Sequence, residues 1–339
     1  MTRTAYGLGR HKAVLVACQL ICAVVLSGQV LAASEKTGDV FGAVLKLNAQ
    51  IPGDARTSKS LGTAREGHAV VIDSDGLVVT IGYLILEAEA VTLTTNDGRE
   101  VPAEILAYDH DTGFGLVRAL QPLNIKPVRL GDSKPANDGT AVLAVGFGGT
   151  ENAVPLRVVS RRDFSGYWEY LLENAIFTAP AFPSFGGAAL FDDQGRLIGI
   201  GSLIIPNAGS ADSHSPGNMF VPINALKPIM ADLLDQGRSE RRRNPWIGAY
   251  TAEQSGFLIV QRIADGGPSD IAGVEVGDII VSVGGQAVTG QIDFYRKMWS
   301  LGGPGTAIEL TVLKPGSGVK TVSVASTDRY RWLRLSKGN

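Results

Sequence analysis

The chain has 339 residues, of which 45% are hydrophobic and 19% charged, with a formal net charge of −2. This length and apolar content suit two folded domains rather than one. The near-neutral charge and the lack of a long basic or acidic tail give no indication of a nucleic-acid partner.

The first 33 residues have the pattern of a secretory signal peptide. Basic residues between positions 3 and 12 precede the apolar run 13–26, and small residues follow at 30–34. The apolar run is shorter than the roughly 20 residues of a comfortable membrane span. A cleaved signal and a periplasmic or secreted mature protein are therefore favoured over an uncleaved anchor.

Both cysteines, Cys18 and Cys22, lie inside that apolar run. After cleavage the chain would have no disulfide, no thiolate ligand and no cysteine nucleophile. Residues 15–18 resemble a lipoprotein cleavage box, but they stand too close to the charged segment to leave a hydrophobic stretch before them. No other segment is apolar enough to cross a bilayer, so no stable span is expected after cleavage.

Residues 34–64 form a mixed N-terminal segment with one short apolar stretch, Val40–Leu47. Beyond it, short apolar runs alternate with turns, and Asp-Gly pairs between apolar runs are strong hairpin signals. Strands are predicted at 69–72, 77–80, 90–95, 101–106, 116–119, 141–145, 156–160, 170–175, 188–191, 197–203 and 219–221. Strands at this spacing predict an all-β barrel or sandwich, and two six-stranded sets would fit a double barrel.

A helix is predicted at 223–236, followed by a polar linker at 237–245 whose arginines 241–243 are interpreted as a solvated hinge. The second unit, 246–327, precedes a C-terminal tail, 328–339. Its predicted elements are strands at 257–262, 277–283, 307–313 and 319–324, with helices at 268–272 and 292–301. That order fits a compact α+β module.

Two motifs of the second unit carry a family resemblance. Trp246-Ile247-Gly248-Ala249 looks like a carboxylate-binding loop, and Gly267–Ile280 follows the run G-[ST]-P-A-x-x-A-G-L-x-x-G-D-x-I. Together with the order of segments, they resemble the Do-type (HtrA/Deg) serine proteases. The resemblance implies a mainly β fold: a trypsin-like double β-barrel at 65–236, followed by a small α+β PDZ domain at 246–327.

When the motifs of that family are aligned with this sequence, other residue types stand at the positions of its catalytic histidine and aspartate. Gly76–Ile85 aligns without a gap with G-Y-[IV]-[LV]-T-N-x-H-V-[VI], so Tyr83 stands where the general-base histidine belongs. Asp109–Val117 aligns with D-x-x-T-D-[IL]-A-[LV]-[LI], so Gly113 stands where the orienting aspartate belongs. The resemblance therefore predicts a degenerate triad.

The nucleophile position is also altered. Counting back without gaps from Gly195–Ile200, which matches G-x-[VL]-I-G-I, puts Gly186 at the serine of G-N-S-G-G-P-L. Sliding the alignment by one residue puts Phe185 there. Neither register supplies a hydroxyl, and Ser184 would require a two-residue slip.

The expected consequence is loss of catalysis. A serine hydroxyl needs an imidazole to take its proton and an acidic partner to fix that imidazole's tautomer. Tyrosine, with an ordinary pKa near 10, is a poor base at neutral pH. An alternative remains open: an active endopeptidase with a rearranged site that uses Ser184 with His68 or His214.

No metal or cofactor is expected. His110 is flanked by Asp109 and Asp111, but adjacent residues of a turn do not converge on one ion. The glycines of 146–149 follow a strand without the lysine and helix of a phosphate-binding loop.

Function is therefore expected to depend on binding through the PDZ domain, with protein or peptide C-termini as partners. PDZ domains accept an extended peptide as an added strand, and backbone amides hold its terminal carboxylate. By resemblance, the added strand would pair with 257–260 and the helix from Ile292 would form the other wall. The predicted contact residues are Ile247, Gly248, Ala249, Tyr250, Phe257, Ile259, Ile292 and Tyr295.

Three functional hypotheses follow. The first is an exported, catalytically inactive homologue that acts as chaperone, scaffold or regulator in protein quality control. The second is the rearranged endopeptidase. The third is a purely structural envelope protein whose assembly is its function; members of the family often trimerise, which leaves a homotrimer open.

Overall fold

The computed structural model describes residues 40–209, 215–239 and 243–335. The predicted signal peptide, His214 and the last four residues of the tail lie outside these ranges. Within them, no helix has the length and apolar content that crossing a membrane requires.

The first barrel closes six antiparallel strands in the order β1-β2-β3-β6-β5-β4. Their bounds are β1 Val44–Gln50, β2 Ala64–Val71, β3 Leu77–Ile81, β4 Ala90–Thr94, β5 Glu100–Tyr108 and β6 Phe114–Ala119. A four-residue helix, α1 (Ser58–Leu61), connects β1 to β2, and a 3₁₀ turn, Gly82–Leu84, follows β3. β1 pairs with both β2 and β4 and so closes the barrel.

That closure corrects the predicted domain boundary. Val40–Leu47 was assigned to an N-terminal segment outside a domain that began at residue 65. The structure instead places β1 in the barrel wall, with Leu45 and Leu47 fully buried. The two strands that flank β1 would otherwise expose unpaired backbone groups at an open edge.

The second barrel also has six strands, in the order β10-β11-β12-β9-β8-β7. They are β7 Ala141–Val145, β8 Ala153–Gly166, β9 Tyr170–Ala179, β10 Ala189–Phe191, β11 Leu197–Ile205 and β12 Gly217–Pro222. A 3₁₀ turn, Gly149–Asn152, precedes β8. The predicted double barrel is therefore confirmed, but β8 and β9 form a longer hairpin than the apolar runs indicated. Gly166, at the end of β8, and the turn 167–169 that follows it are together called the hairpin tip below.

The predicted helix 223–236 is helical but interrupted. Two 3₁₀ turns, Ile223–Ala225 and Lys227–Ile229, precede the helix α2, Met230–Gln236. Pro228 lacks the N–H that a continuous helix would use, which accounts for the break. α2 ends at Gly237, whose φ of 71° is the left-handed conformation that glycine adopts readily.

The third unit is a sheet in the order β13-β14-β15-β17-β18, with β16 paired to β15. The elements are β13 Ala249–Gln254, β14 Phe257–Ile263, α3 Pro268–Ile271, β15 Ile279–Val283, β16 Gln286–Ala287, α4 Gln291–Ser300, β17 Ala307–Lys314 and β18 Gly318–Ala325. β13, which was not predicted, is the edge strand directly after the loop 246–249. A last helix, α5 (Arg329–Trp332), lies in the tail.

This order contradicts the predicted pairing of a peptide strand with residues 257–260, which include the predicted contact residues Phe257 and Ile259. β14 is hydrogen-bonded to β13 on one side and β15 on the other, so it has no edge to offer a peptide. Phe257, at its start, is 55% exposed, and Ile259 pairs with Ile279 of β15. The open edge beside α4 belongs to β13.

Candidate active-site cleft and PDZ loop

Two of the positions that the motifs assign to the triad are direct neighbours. Tyr83 lies in the 3₁₀ turn after β3, and its hydroxyl donates to the carbonyl oxygen of Ser202 on β11 at 3.0 Å. A Cβ built on Gly186 would lie 3.0 Å from that hydroxyl oxygen. The geometry therefore favours Gly186, rather than Phe185, as the nucleophile position, because it faces Tyr83 at the position of the family's general-base histidine. Burial raises the pKa of Tyr83 well above 10, which keeps the phenol protonated at neutral pH.

Gly113 is connected to this pair through the backbone. Its carbonyl accepts the N–H of Gly82 at 2.7 Å, and its φ is 82°. A Cβ there would stand 3.2 Å from the hydroxyl oxygen of Tyr170, which donates to the carbonyl of Thr112 at 2.7 Å. A second phenol thus occupies the space beside the position where the resemblance puts a carboxylate. Burial raises the pKa of Tyr170 as well.

His68 lies against the loop that carries Gly186, as the resemblance implied. The N–H of His68 donates to the carbonyl of Gly186 at 2.8 Å, and its ring Nδ1 accepts the N–H of Phe147 at 3.0 Å. The ring also has a backbone hydrogen-bond partner at Ser184, an interaction that raises its pKa.

The interactions of His68 are those of a structural histidine. Burial is the dominant influence and lowers its pKa, so the imidazole is neutral at neutral pH. In the part of the chain that the structure describes, no hydrogen bond joins the Ser184 hydroxyl to the ring. His68 contacts Ser184 through the main chain, which does not activate the hydroxyl.

An aromatic cavity of about 380 Å³ opens beside these positions. The barrels contribute Tyr83, Gly113, Phe185 and Ser202; the hairpin contributes Tyr167, Trp168 and Tyr170; the third unit and the tail contribute Tyr250, Arg262, Arg329, Trp332 and Leu333. The cleft between the barrels is thus covered by the β8–β9 hairpin, by β13 and β14 of the third unit, and by the tail. Tyr250 belongs to this wall, with the Arg262 guanidinium 4.1 Å from its ring centre.

The loop 246–249 holds a carboxylate of this same chain. The N–H groups of Ile247 and Ala249 donate to the two carboxylate oxygens of Glu169 at 3.1 and 2.9 Å. Gly248 between them has a φ of 75°, and a Cβ there would meet the side chains of Ala264 and Trp246. Backbone amides at this spacing form a site for an anion.

Glu169 was not among the residues predicted from the sequence. Nothing local marks it: it is one acidic residue in a turn that also contains Tyr167 and Trp168, and it is 78 and 80 residues from its partners. Burial raises its pKa to about 7, whereas the loop amides and Arg329 oppose that rise. Its φ of 56° is a left-handed conformation that a non-glycine residue rarely adopts.

The space between β13 and α4 is also filled. Tyr295 is fully buried, and its hydroxyl donates to the carbonyl of Gly166, in the hairpin tip, at 3.0 Å. The side-chain amide of Gln291 donates to the carbonyl and hydroxyl oxygens of Thr251 on β13. The side chain of Tyr295 therefore lies between α4 and the hairpin tip, and Ile292 is only partly buried beside it.

Comparisons with known proteins agree with this architecture. The family "Trypsin-like peptidase domain" matches residues 67–200, and the family "PDZ domain" matches residues 259–314. The "Probable periplasmic serine endoprotease DegP-like" of Brucella suis is 30% identical over 290 residues, 77% of this chain and 54% of that protein. The chain belongs to the Do-type (HtrA/Deg) family.

Other members of the HtrA/Deg family match in the same way. The "Periplasmic pH-dependent serine endoprotease DegQ" of Escherichia coli is 29% identical over 264 residues, 74% of this chain and 57% of that protein. The chain thus spans little more than half the length of these relatives.

Solved structures support the fold. An HtrA-type protease with a bound tripeptide has a TM-score of 0.53 at 21% identity, covering 89% of this chain and 96% of that one. The serine endoprotease of Yersinia pestis has a TM-score of 0.51 at 22% identity, covering 87% and 96%.

Proposed function

We propose that this chain is a catalytically inactive HtrA/Deg-family protein that binds polypeptide C-termini through its PDZ domain. The observation that carries the first half is the set Tyr83, Gly113 and Gly186, which we call the triad positions. They are adjacent in the cleft, and together they offer one buried phenol and two glycines. In this proposal the protein works in the periplasm as a chaperone, scaffold or regulator in protein quality control.

The chemistry of these residues supports inactivity. Acyl transfer needs a nucleophilic oxygen, a base for its proton and a group that orients the base. Here the phenol of Tyr83 donates a hydrogen bond to the carbonyl oxygen of Ser202, and burial raises its pKa above the ordinary 10, so it stays protonated at neutral pH and cannot accept the proton of a nucleophile. Loss of a whole triad costs a serine protease about 10⁶-fold in turnover.

The PDZ loop supports the binding half. The amides of Ile247 and Ala249 already hold two carboxylate oxygens at hydrogen-bonding distance, so the loop has the geometry that a peptide C-terminus requires. Its edge strand, β13, lies directly after the loop, where β-augmentation would extend a bound peptide. The signal-like N-terminus and the periplasmic relatives support export. The homotrimer stays a prediction.

The test uses the full chain. We expect no fluorophosphonate labelling and no casein cleavage beyond background. A dye-labelled peptide with a free C-terminal carboxylate should bind, whereas the same peptide amidated at its C-terminus should not. Specific labelling would contradict the first half of the proposal, and equal binding of the two peptides would contradict the second.

The rearranged endopeptidase is the second candidate, favoured by one observation: the ring of His68 contacts the backbone of Ser184. If that site works, fluorophosphonate labels Ser184 and casein cleavage disappears in Ser184→Ala and in His68→Ala. Ser317→Ala, at an exposed serine in a turn, is the matched control and should change nothing.

A further inference from the structure

The carboxylate-binding loop of the PDZ domain is filled by a residue of the protease-like domain. The carboxylate of Glu169 accepts the amides of Ile247 and Ala249, with only 6% of this residue exposed. A peptide C-terminus would accept hydrogen bonds from the same backbone amides through its own two carboxylate oxygens.

We propose that the hairpin tip is an internal ligand of the PDZ domain, which an external C-terminus must displace before it can bind. The proposal rests on the proposed function, because it assigns the regulation of that same loop. A free peptide and Glu169 compete for the same two amides, so both cannot be bound at once. The apparent affinity for peptide is then reduced by the fraction of molecules in which the hairpin tip is docked.

A second set of contacts holds the hairpin tip independently of Glu169. The carbonyl of Gly166 accepts the hydroxyl of Tyr295, and Arg296 forms an ion pair with Asp163. Tyr295 and Arg296 belong to α4, the helix that forms the other wall of the peptide groove. The hairpin therefore occupies the groove beside α4 as well as the loop, which is the extent that a short bound peptide would cover.

The burial of Glu169 indicates that the docked state can be displaced. The residue is 6% exposed, and this burial raises its pKa to about 7. Its φ of 56° belongs to the three-residue turn between Gly166 and Tyr170 and does not depend on docking. Undocking would return the side chain to water, so a competing carboxylate need not offset the full strength of two hydrogen bonds.

Displacement would also reach the cleft. Trp168 in the hairpin tip stacks on Tyr170, with ring centres 5.5 Å apart, and both line the aromatic cavity beside the triad positions. An undocked hairpin tip would therefore carry Trp168 out of its stacked position.

The experiment measures the binding of a dye-labelled peptide that ends in valine with a free carboxylate to the full chain. Glu169→Gln is the test variant, and Glu173→Gln, an exposed glutamate four residues along the same hairpin, is the matched control. We expect Glu169→Gln to bind about tenfold or more tightly than wild type, because the glutamine NH2 group cannot accept the hydrogen bond that one of the two loop amides donates to a carboxyl oxygen, and two donors would then face each other. Glu173→Gln should bind as wild type does.

Equal affinities of wild type and Glu169→Gln for this peptide would overturn the internal ligand and leave the proposed function standing. Failure of every variant to bind would instead remove the proposed function. In that case the backbone amide NMR resonances of Ile247 and Ala249 test whether Glu169 is bound in the loop. They should shift in Glu169→Gln and not in Glu173→Gln, and their constancy would overturn the inference.

A measurement on the wild-type chain covers the case in which Glu169→Gln folds poorly. The side-chain carboxyl resonance of Glu169 should move towards that of an exposed glutamate as the valine-ended peptide saturates the protein. An unchanged resonance at saturation would overturn the inference.

Discussion

Tyr83 and Gly186 set the chemistry of the cleft at the scale of single residues. A serine at position 186 would place its hydroxyl beside the phenol of Tyr83, since even a Cβ there lies 3.0 Å from the phenolic oxygen. The phenol could hydrogen-bond that hydroxyl but could not take its proton, because burial raises the Tyr83 pKa above its ordinary 10.

We therefore expect Gly186→Ser alone to remain inactive. The measurement is fluorophosphonate labelling and casein turnover of the purified variant, with trypsin as the positive control for both assays. Labelling of the new serine at a rate above that of wild type would show that another group in the cleft acts as the base.

Gly187 provides a stability test of the same loop. Its φ is 78°, and a Cβ would lie 1.9 Å from the carbonyl oxygen of His68, so the loop packs directly on β2. Gly98 has a similar φ of 84° but open space around it. We expect Gly98→Ala to lower the free energy of unfolding by about 1 kcal/mol and Gly187→Ala by about 3 kcal/mol or more. Urea unfolding measures both, and equal losses would contradict the close packing.

The sequence located the triad positions but not Glu169, and the reason is physical. Each triad position lies within a local motif whose spacing is fixed by a strand and its turn. The role of Glu169 depends on contact between a hairpin and a loop about 80 residues further along the chain. No pattern inside the hairpin encodes that contact.

At the scale of elements, strands with alternating apolar residues between Asp-Gly turns were predictable. β13 was not, because its sequence, AYTAEQ, has no strong apolar run. It pairs on one side only, and its burial comes from α4 and the hairpin. Assigning the peptide edge to β14 followed from this omission, because β14 was then the first strand predicted after the loop.

The tail is an element whose packing the sequence did not reveal. The ring of Trp332 lies 5.2 Å from that of Trp246, at an angle of 38°, and the Arg56 guanidinium lies 3.8 Å from its centre. Tyr330 packs on His110 with ring centres 4.2 Å apart and donates to the carbonyl of Tyr108 at 2.7 Å. The tail thus joins the PDZ loop to the first barrel and closes the aromatic cavity.

We expect Trp332→Ala to lower the free energy of unfolding by about 2–3 kcal/mol, since it removes a ring contact and a cation–π contact at a partly buried site. Phe257→Ala is the control: its ring is 55% exposed, so a change of about 0.5 kcal/mol is expected. Thermal or urea unfolding compares the two. Similar small losses in both would mean that the tail is held by other contacts.

For the molecule as a whole, buried groups whose pKa values shift in opposite directions contribute opposing terms to the pH dependence of stability. The pKa of Glu169 is raised from its usual 4.5 to about 7 by burial. Burial also lowers the pKa values of His68 and His110 below their usual 6.5. The histidines contribute stability that is present above pH 6.5 and is lost on acidification, whereas the contribution of Glu169 is lost as pH rises.

Other charged and titratable groups lie around Glu169. Arg329 lowers its pKa, and the buried phenols of Tyr250 and Tyr295 face it from the PDZ domain with pKa values raised above 10. The charged or titratable residues that share a small cavity with it are Asp109, His110, Asp111, Arg238, Arg243, Asp328, Arg329 and Tyr330. The comparison of wild type with Glu169→Gln reports the titration of Glu169 together with its coupling to these neighbours, and Glu173→Gln controls for loss of a carboxylate elsewhere in the hairpin.

The sign for Glu169 is fixed by linkage. Between pH 4.5 and about 7 the folded chain binds a proton at this residue that the unfolded chain releases, so the stability of wild type relative to Glu169→Gln should fall as pH rises through this window. The expected total change is about 3 kcal/mol. Urea unfolding across this pH range measures it, with Glu173→Gln expected to parallel wild type.

The same pKa shift favours the undocked hairpin tip at higher pH. Wild type should therefore also bind the valine-ended peptide more tightly above pH 7 than near pH 5, while Glu169→Gln should lose this dependence. Parallel curves for wild type and Glu169→Gln in both measurements would mean that the carboxylate does not titrate in the loop.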